Sequence, residues 1–314
     1  MKKVRFHQYG GSDVLQYDEV DRPAPGSSQV LVKVAATSFN PVDAGIRGGY
    51  LSAAFPITFP HVPGIDVSGT ITEIGDGVTE WTVGDPVIGL LPMTADGAAA
   101  NYVIAPADVL ATAPRSVPLA DTAALPIAGL TAWQALFEIA ELKPGQAILI
   151  NGAAGAVGGY AVQLATQVGA VVTATAEPND ADRLRSYGAE RIIDYLDYTV
   201  APIAIQGAPF DVVLNLVSTT PQQTAALVGA VADGGIHVGT MNDGQEDVAR
   251  QVRTQRVFVR SDVAQLDGLA SRVDNRQLHI HIADRQPLSE IAAVHEASDA
   301  GRLPGKTLLI PTGP

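Results

Sequence analysis

The segment Ile148–Pro178, ILINGAAGAVGGYAVQLATQVGAVVTATAEP, carries the pattern that decides the fold. It predicts an apolar strand over Ala147–Asn151, a glycine-rich turn, a helix over Ala156–Val168 and a second strand over Val171–Ala176. Such a turn suits a pyrophosphate, because its backbone amides and the partial positive charge of the helix N-terminus face the anion without an intervening side chain. The segment therefore predicts a dinucleotide-binding unit.

Two glycines of the turn have separate tasks. Gly155 would let the backbone approach the pyrophosphate, and Gly158 would let the helix pack closely on the strand. The turn reads AAGAVG over 153–158, so alanine replaces the first glycine of the usual fingerprint. A turn that serves only helix–strand packing is the alternative, but the strand before it and the helix after it favour cofactor binding. The predicted cofactor contacts in the turn are Gly155, Ala156, Val157 and Gly158.

The end of the second strand bears on cofactor choice. The residue about 20 positions after the turn usually binds the adenosine ribose through a carboxylate. Thr175 stands there, and threonine does not repel a 2′-phosphate, so the sequence favours NADP (NADPH), with NAD as the alternative. Glu177 and Asp180 lie just beyond the strand and would repel that phosphate. The groups that could offset this repulsion are Arg183, Arg185, Lys306 and the hydroxyl of Tyr195. Thr175, Tyr195 and Lys306 are predicted cofactor contacts.

Strand and helix patterns alternate around this segment. A helix is predicted ahead of it, over Leu119–Glu141. The elements predicted after it are helix Ala181–Tyr187, strand Ile192–Asp194, strand Asp211–Leu216, helix Pro221–Val231 and strand Gly235–Gly239. This alternation predicts an α/β fold with a doubly wound parallel sheet. Ligands bind at the carboxyl ends of the strands of such sheets, so the cofactor contacts predicted there are Asn215, Val217 and Gly239.

The two ends of the chain have a different sequence pattern from the middle. Residues 1–118 carry many short apolar runs separated by Gly and Pro, which predict a sheet-rich, barrel-like domain. The tail predicts helix Val263–Asp274, strand Leu278–Ile282, helix Leu288–Ala300 and strand Thr307–Ile310. It has no glycine-rich turn of its own, so we infer that it completes the first domain. The expected domains are 1–118 with 263–314, and 119–262.

Composition argues against several classes of function. The net charge is −13, whereas binding to nucleic acid or to an anionic membrane needs basic surface. The 314 residues contain no cysteine, so disulfides, thiolate zinc sites and cysteine nucleophiles are excluded. The N-terminus lacks the apolar run of a signal peptide, and no segment reaches the about 20 apolar residues of a membrane span. We therefore expect a soluble, cytoplasmic protein.

Motifs along the whole chain resemble one family. They are SFNPVDAGIRGGY (Ser38–Tyr50), HVPGIDVSGTITEIGDGVTEWTVGDPVIG (His61–Gly89), LPIAGLTAWQAL (Leu125–Leu136), AAGAVG in the turn and GRLPGKTLLIP (Gly301–Pro311). They resemble the zinc-independent, zeta-crystallin-like quinone oxidoreductase group of the medium-chain dehydrogenase/reductase family. The resemblance implies a GroES-like catalytic domain joined to a Rossmann domain. It also implies an NAD(P)H-dependent reductase of quinones or activated C=C bonds.

The positions that bind zinc in related alcohol dehydrogenases differ here. Asn40 stands where those enzymes have a cysteine, and Gly64-Ile65-Asp66 stands near their Gly-His-Glu. No metal is expected, and alcohol oxidation is disfavoured because no Lewis acid would lower the pKa of the alcohol. An electron-poor quinone or α,β-unsaturated carbonyl demands only hydride supply, orientation and hydrogen-bond donors. A small-molecule electron acceptor is thus the expected partner.

Three residues are predicted to form the catalytic site. Asn40 could bond the acceptor carbonyl or the nicotinamide ribose, or cap the helix that starts at Pro41. Tyr50 could stack on a flat acceptor, donate a proton or pack locally. Thr131 matches a nicotinamide-facing position of the family, or bonds back to a helix carbonyl. Asn40 and Thr131 are also predicted cofactor contacts.

Further expectations concern charge pairs, assembly and rival functions. Asp43 is predicted to pair with Arg47 one helical turn later, and Asp66 to be structural. Val257–Val259 resembles the edge strand through which the family forms homodimers. The alternative functions are a nucleotide-binding redox-sensing or structural protein with little turnover, and a zinc alcohol dehydrogenase, which the absent cysteines disfavour.

Overall fold

The computed structural model describes residues 1–200 and 203–312. The strands are β1 (Lys2–Arg5), β2 (Gln16–Glu19), β3 (Gln29–Ser38), β4 (Asp66–Ile74), β5 (Pro86–Leu90), β6 (Tyr102–Pro106), β7 (Leu110–Thr112), β8 (Ala147–Asn151), β9 (Val171–Thr175), β10 (Arg191–Ile193), β11 (Phe210–Asn215), β12 (Val231–Gly239), β13 (Arg253–Arg256), β14 (Asp284–Pro287) and β15 (Thr307–Ile310). The α-helices are α1 (Pro41–Arg47), α2 (Pro126–Trp133), α3 (Ala156–Gln167), α4 (Pro178–Ser186), α5 (Pro221–Gly229), α6 (Val263–Asp274) and α7 (Ile291–Asp299).

The chain divides into two compact units. The first unit comprises Met1–Ile127 and Arg260–Pro314, and the second comprises Ala128–Val259. These bounds differ from the domain boundaries expected at residues 118 and 262, which stay a prediction. Each unit has its own sheet and its own buried apolar cluster.

The second unit is built on a six-stranded sheet in the order β10-β9-β8-β11-β12-β13, with every neighbouring pair parallel. Counted along the chain, this order is that of a doubly wound dinucleotide-binding sheet. Register places Asn151 opposite Asn215 and Asn215 opposite Gly239, so the carboxyl ends of β8, β11 and β12 are level. The predicted α/β class and parallel sheet are confirmed.

The first unit is sheet-rich, as expected. Its main sheet has the order β14-β15-β3-β4-β5-β7, with β6 also paired to β3. The closing strand β15 lies antiparallel to β3, with Leu308 opposite Ser38. The apolar side chains of β3, β4, β5 and β6 fill its core, because alternate residues of each strand point to the same face.

Two predicted elements of the tail and of the linking region are wrong. Leu278–Ile282 is irregular, and the strand that pairs with β15 is Asp284–Pro287. The apolar alternation at Leu278, Ile280 and Ile282 arises from packing of these side chains, without a strand ladder. The predicted helix Leu119–Glu141 is broken. A 3₁₀ segment ends at Ala124 and α2 begins at Pro126, because Pro126 lacks the N–H that a continuous helix requires there. A π-helical turn follows α2 over Gln134–Ile139.

The predicted edge strand Val257–Val259 is also wrong. The edge of the parallel sheet is β13, which ends at Arg256, and Val257–Val259 is irregular. The ladder stops there because its partner β12 ends at Gly239, opposite Arg256. The side chain of Phe258 is 70% exposed and packs against the guanidinium of Arg256.

Candidate functional site

The glycine-rich turn connects β8 to α3 in the second unit. Gly152 has φ +88°, a left-handed conformation that favours glycine. Helix α3 begins after Gly155, which has no side chain to cap the helix, and the first turn carries no acidic residue. A Cβ at Gly158 would lie 2.5 Å from the Cα of Ala153, so only glycine lets α3 approach β8 this closely. The arrangement fits a pyrophosphate, whose oxygens would accept hydrogen bonds from the backbone N–H groups of the first turn of α3.

A buried hydrogen-bond network supports the turn. The hydroxyl of Thr175 accepts from the N–H of Gly152 at 2.8 Å and donates to Oδ1 of Asn151 at 3.0 Å. Nδ2 of Asn151 donates in turn to Oδ1 of Asn215 at 2.9 Å. Thr175 is fully buried, so its hydroxyl is engaged beneath the turn; the ribose contact predicted for it stays a prediction.

The neighbouring strand ends meet the same turn. Nδ2 of Asn215 donates to the carbonyl oxygen of Val217 at 3.1 Å, and the side chain of Val217 packs over Gly152. The N–H of Thr240 donates to the carbonyl oxygen of Asn215 at 3.1 Å. The structure thus brings the predicted residues Asn215, Val217 and Gly239 to one edge with the turn. Their contacts with a cofactor remain predictions.

Sequence reasoning did not assign Asn151 a role, although it joins Thr175 to Asn215. The available signal was a polar residue at the end of the apolar run Ile148–Ile150, immediately before the glycine turn. A buried amide at a strand end needs partners, so such a residue indicates a network.

Charged residues surround the ends of β9 and β10. One guanidinium nitrogen of Arg183 donates to the carbonyl oxygen of Ala154 at 2.9 Å and to the carboxylate of Asp180. Tyr195, about half exposed, follows β10. Partial burial raises the pKa of the Tyr195 phenol, and the negative charges of Glu177, Asp180 and Asp194 raise it further.

The first unit holds a buried polar cluster around Asp66. Oδ2 of Asp66 accepts from Nδ2 of Asn40 at 2.9 Å, from Nζ of Lys306 at 3.3 Å and from the hydroxyl of Ser38. Oδ1 accepts from the N–H of Ile127 at 2.8 Å. Asp66 is fully buried, and its negative charge is compensated by the Lys306 ammonium and three further donors. Ser38 and Lys306 join the cluster because β15 pairs with β3.

Asn40 connects this cluster to helix α1, which begins at the next residue. Its Oδ1 accepts from Nζ of Lys306 at 2.7 Å, while Nδ2 donates to Asp66 and to the carbonyl oxygen of Ser38 at 3.2 Å. Both hydrogens of the amide are therefore used within the cluster. Lys306 is likewise buried and paired, so a phosphate contact would require it to leave Asp66. The roles predicted for both residues stay predictions.

Asp43 does not form the expected pair with Arg47. Its carboxylate turns back to the start of α1, where it accepts from the N–H groups of Asn40 at 2.9 Å and Gly64 at 3.0 Å. Arg47 pairs with Asp299 at 2.6 Å instead. Burial, reinforced by the negative charge of Asp66, raises the pKa of Asp43 to about 6.

Comparison with known proteins agrees with this geometry. Residues 26–115 match the alcohol dehydrogenase GroES-like domain, and residues 187–309 match the family described as zinc-binding dehydrogenase. A chloroplastic quinone-oxidoreductase homolog of Spinacia oleracea is 36% identical, over 71% of this chain and 70% of that protein. The chain belongs to the quinone oxidoreductase group of the medium-chain dehydrogenase/reductase family.

Two further members of the family are informative. An NADPH-dependent alkenal/one oxidoreductase of Arabidopsis thaliana is 32% identical over 78% of this chain and 67% of that protein. The solved quinone oxidoreductase of Coxiella burnetii superposes with a TM-score of 0.87 at 29% identity, covering 99% of both chains. The expected GroES-like domain and Rossmann domain are confirmed by the family models and by this superposition. The relatives are named oxidoreductases, and these names support an oxidoreductase function for this chain.

Zinc does not fit the residues of this family member. Asn40 and Asp66, which the family resemblance placed at or near ligand positions of the zinc alcohol dehydrogenases, both bind the Lys306 ammonium, whose positive charge would repel a metal cation. Within 1–200 and 203–312, no group of three or more His, Cys, Asp or Glu side chains is arranged to hold a metal.

The two remaining catalytic candidates occupy contrasting places. Tyr50 follows α1 and is 88% exposed, whereas Thr131 is buried in α2. Their contacts with an acceptor or a nicotinamide stay predictions. Over the described part of the chain, no helix is long and apolar enough to cross a membrane.

Proposed function

We propose that the chain is a metal-independent NAD(P)H-dependent reductase that transfers hydride to a quinone or to an α,β-unsaturated carbonyl. The observation that carries the proposal is the turn between β8 and α3. The N-terminus of α3 has no side-chain cap, Gly158 lets α3 lie close to β8, and Thr175 and Asn151 hold the turn from beneath. The names of the relatives supply the reaction class, since they include quinone and alkenal/one oxidoreductases.

A bound dihydronicotinamide would supply the hydride. With one proton, a hydride converts an enone into the saturated carbonyl compound, or a quinone into its hydroquinone. We propose that Asn40, Tyr50 and Thr131 contact the acceptor or the nicotinamide, and that the proton comes from solvent or from the exposed phenol of Tyr50. The Asp66 cluster would then serve to hold Asn40 in one orientation.

Cofactor choice has two lines of support that disagree. The name of the Arabidopsis relative favours NADPH, as the threonine at 175 does. The carboxylates near Tyr195 favour NADH, because they would repel a 2′-phosphate. The two lines predict opposite results in a single titration.

Anaerobic turnover tests the proposed function. The purified chain is mixed with NADH or NADPH and a panel of small quinones and enones, and loss of the dihydronicotinamide absorbance is followed. We expect turnover with at least one acceptor, and its loss in Gly158→Val, because a side chain there would collide with the backbone of Gly152 and Ala153. Absence of nucleotide binding and of turnover in the parent chain would refute the proposal.

A nucleotide-binding protein with little turnover is the second candidate. It is favoured by the engagement of both Asn40 amide hydrogens inside the cluster, which leaves that residue no donor for a substrate. Tight nucleotide binding without turnover of any acceptor would support it.

We also propose that the chain forms a homodimer through the exposed edge of β13. We propose separately that the protein is cytoplasmic. The edge strand is open within the described residues, and exposed Phe258 lies next to it. Sedimentation of the parent chain and of Phe258→Asp checks this; a dimer that Phe258→Asp dissociates is expected. Fractionation of cells addresses the location, since some relatives are named chloroplastic.

A further inference from the structure

We infer that the chain prefers NADH to NADPH, with Glu177 receiving the adenosine ribose hydroxyls. This inference rests on the proposed function, because it concerns the cofactor of the same turn. Four observations at the carboxyl edge of the parallel sheet carry it: which side chains face outward there, where the carboxylates lie, how the cations are paired, and what charge surrounds Tyr195.

The first observation concerns which side chain can reach a ribose. Thr175 and Ala176 are both buried, and Thr175 is bonded beneath the turn. Glu177 is the first exposed residue after β9 and precedes α4. It also stands close to the usual distance of about 20 positions from the turn, so it takes the place that the sequence assigned to Thr175.

The second observation is the grouping of carboxylates. Strands β9 and β10 are parallel neighbours, with Thr175 opposite Ile193, and the N–H of Ala176 donates to the carbonyl oxygen of Ile193 at 3.0 Å. Glu177 and Asp194 therefore emerge from the same edge of the sheet. Neither shows a bond from its side chain to a cation among the described residues.

The third observation is the state of the cations. Each of the three that the sequence offers to a 2′-phosphate is paired with a carboxylate, namely Arg183 with Asp180, Arg185 with Asp182, and Lys306 with Asp66. Arg183 is further held by the carbonyl oxygen of Ala154. A phosphate would have to displace a carboxylate to gain any of these partners.

The fourth observation is the local charge. The segment 177–185 and Asp194 carry four carboxylates against two guanidinium groups. Partial burial raises the pKa of the Tyr195 phenol, and the negative charges of Glu177, Asp180 and Asp194 raise it further. The field of these carboxylates therefore reaches the hydroxyl that the sequence offers to a phosphate. A ribose with two hydroxyl donors suits this field, whereas a phosphate dianion does not.

Equilibrium titration tests the inference without turnover. Dihydronicotinamide fluorescence is followed as the full chain binds NADH or NADPH at low and at high salt. At low salt we expect NADH to bind at least about tenfold more tightly than NADPH. Added salt should bring the two dissociation constants closer together, because it screens the repulsion between the carboxylates and the 2′-phosphate.

Three variants sharpen the titration. Glu177→Gln should weaken NADH binding about tenfold without weakening NADPH binding, because it replaces the charged acceptor of the ribose by a weaker neutral amide and removes a charge that repels the phosphate. Asp180→Asn should tighten NADPH binding, because it releases Arg183. Glu190→Gln is the matched control, since Glu190 is exposed at the opposite end of β10, and it should change neither affinity.

The outcomes separate the inference from the proposed function. Equal or tighter NADPH binding in the parent chain, or equal losses for both nucleotides in Glu177→Gln, would overturn the NADH preference and leave the reductase intact. Failure of both nucleotides to bind the parent chain would overturn both.

Discussion

The buried cluster around Asp66 in the first unit and the exposed carboxylates around Glu177 in the second use the same residue types in opposite ways. In the cluster, Asp66 and Lys306 are removed from water, and each finds compensating partners. At the sheet edge, Glu177 and Asp194 stay in solvent. Buried charges cost several kcal/mol when a partner is lost, whereas exposed charges cost little. The comparison predicts that changes in the cluster affect folding, and that changes at the edge affect ligand binding.

The largest effect is expected from Lys306→Met, which leaves the Asp66 carboxylate buried without its cation. The free energy of unfolding should fall by about 3–5 kcal/mol, measured by urea denaturation. The double variant Lys306→Met with Asp66→Asn should recover part of this loss, because the uncompensated charge is gone. An unchanged stability in Lys306→Met would show that the pair does not support the fold.

A smaller, pH-dependent effect is expected at Asp43. Its pKa is raised from 3.8 to about 6 in the folded chain, so the folded state binds more protons than the unfolded state between these values. The contribution of Asp43 to stability therefore falls as pH rises through this window, by up to about 3 kcal/mol. The stability of Asp43→Asn relative to the parent should rise by a comparable amount between pH 4 and pH 7. A constant difference would contradict the raised pKa.

Thr175→Val tests the network beneath the glycine turn. It keeps the shape of the side chain but leaves the N–H of Gly152 and Oδ1 of Asn151 without the hydroxyl. We expect a loss of about 1–3 kcal/mol in the free energy of unfolding, together with weaker nucleotide binding. Thr175→Ser keeps the hydroxyl and should retain most of both; equal losses in the two variants would point to packing instead.

The smallest effect on stability is expected from Glu177→Gln. The side chain is exposed and makes no capping bond to α4, so the free energy of unfolding should change by less than about 0.5 kcal/mol. Together with a selective loss of NADH affinity, this result would show that Glu177 serves ligand binding, whereas Lys306 serves folding. A large loss of stability would place Glu177 among the structural charges.

Local patterns were enough to predict some parts of the molecule. The turn at Gly155 and Gly158, helix α6 and strand β15 follow from spacing, capping and apolar periodicity in a few neighbouring residues. The strand predicted over Leu278–Ile282 was wrong, because alternate side chains are buried there without the backbone pairing of a strand. The strand at Asp284–Pro287 carries little apolar character, and only its pairing with β15 reveals it.

The polar cluster could not be predicted, because its members are far apart in the chain. Lys306 and Asp66 are separated by 240 residues, and they meet only because β15 lies beside β3. The same applies to Thr175: counting positions from Gly155 placed it at the ribose, whereas the inward direction of its side chain depends on the pleat of β9. Distance along the chain does not report which face a residue occupies.

Deuteride transfer tests the central claim most directly. The purified chain is mixed with an enone and with NADH or NADPH carrying deuterium at the reactive carbon of the dihydropyridine ring, labelled on one face at a time, and the product is analysed by mass spectrometry and NMR. The account predicts one deuterium at the β-carbon of the saturated carbonyl product, delivered from one face of the ring. Cofactor that binds but neither transfers deuterium to the β-carbon of any enone nor is oxidised by any quinone would contradict it.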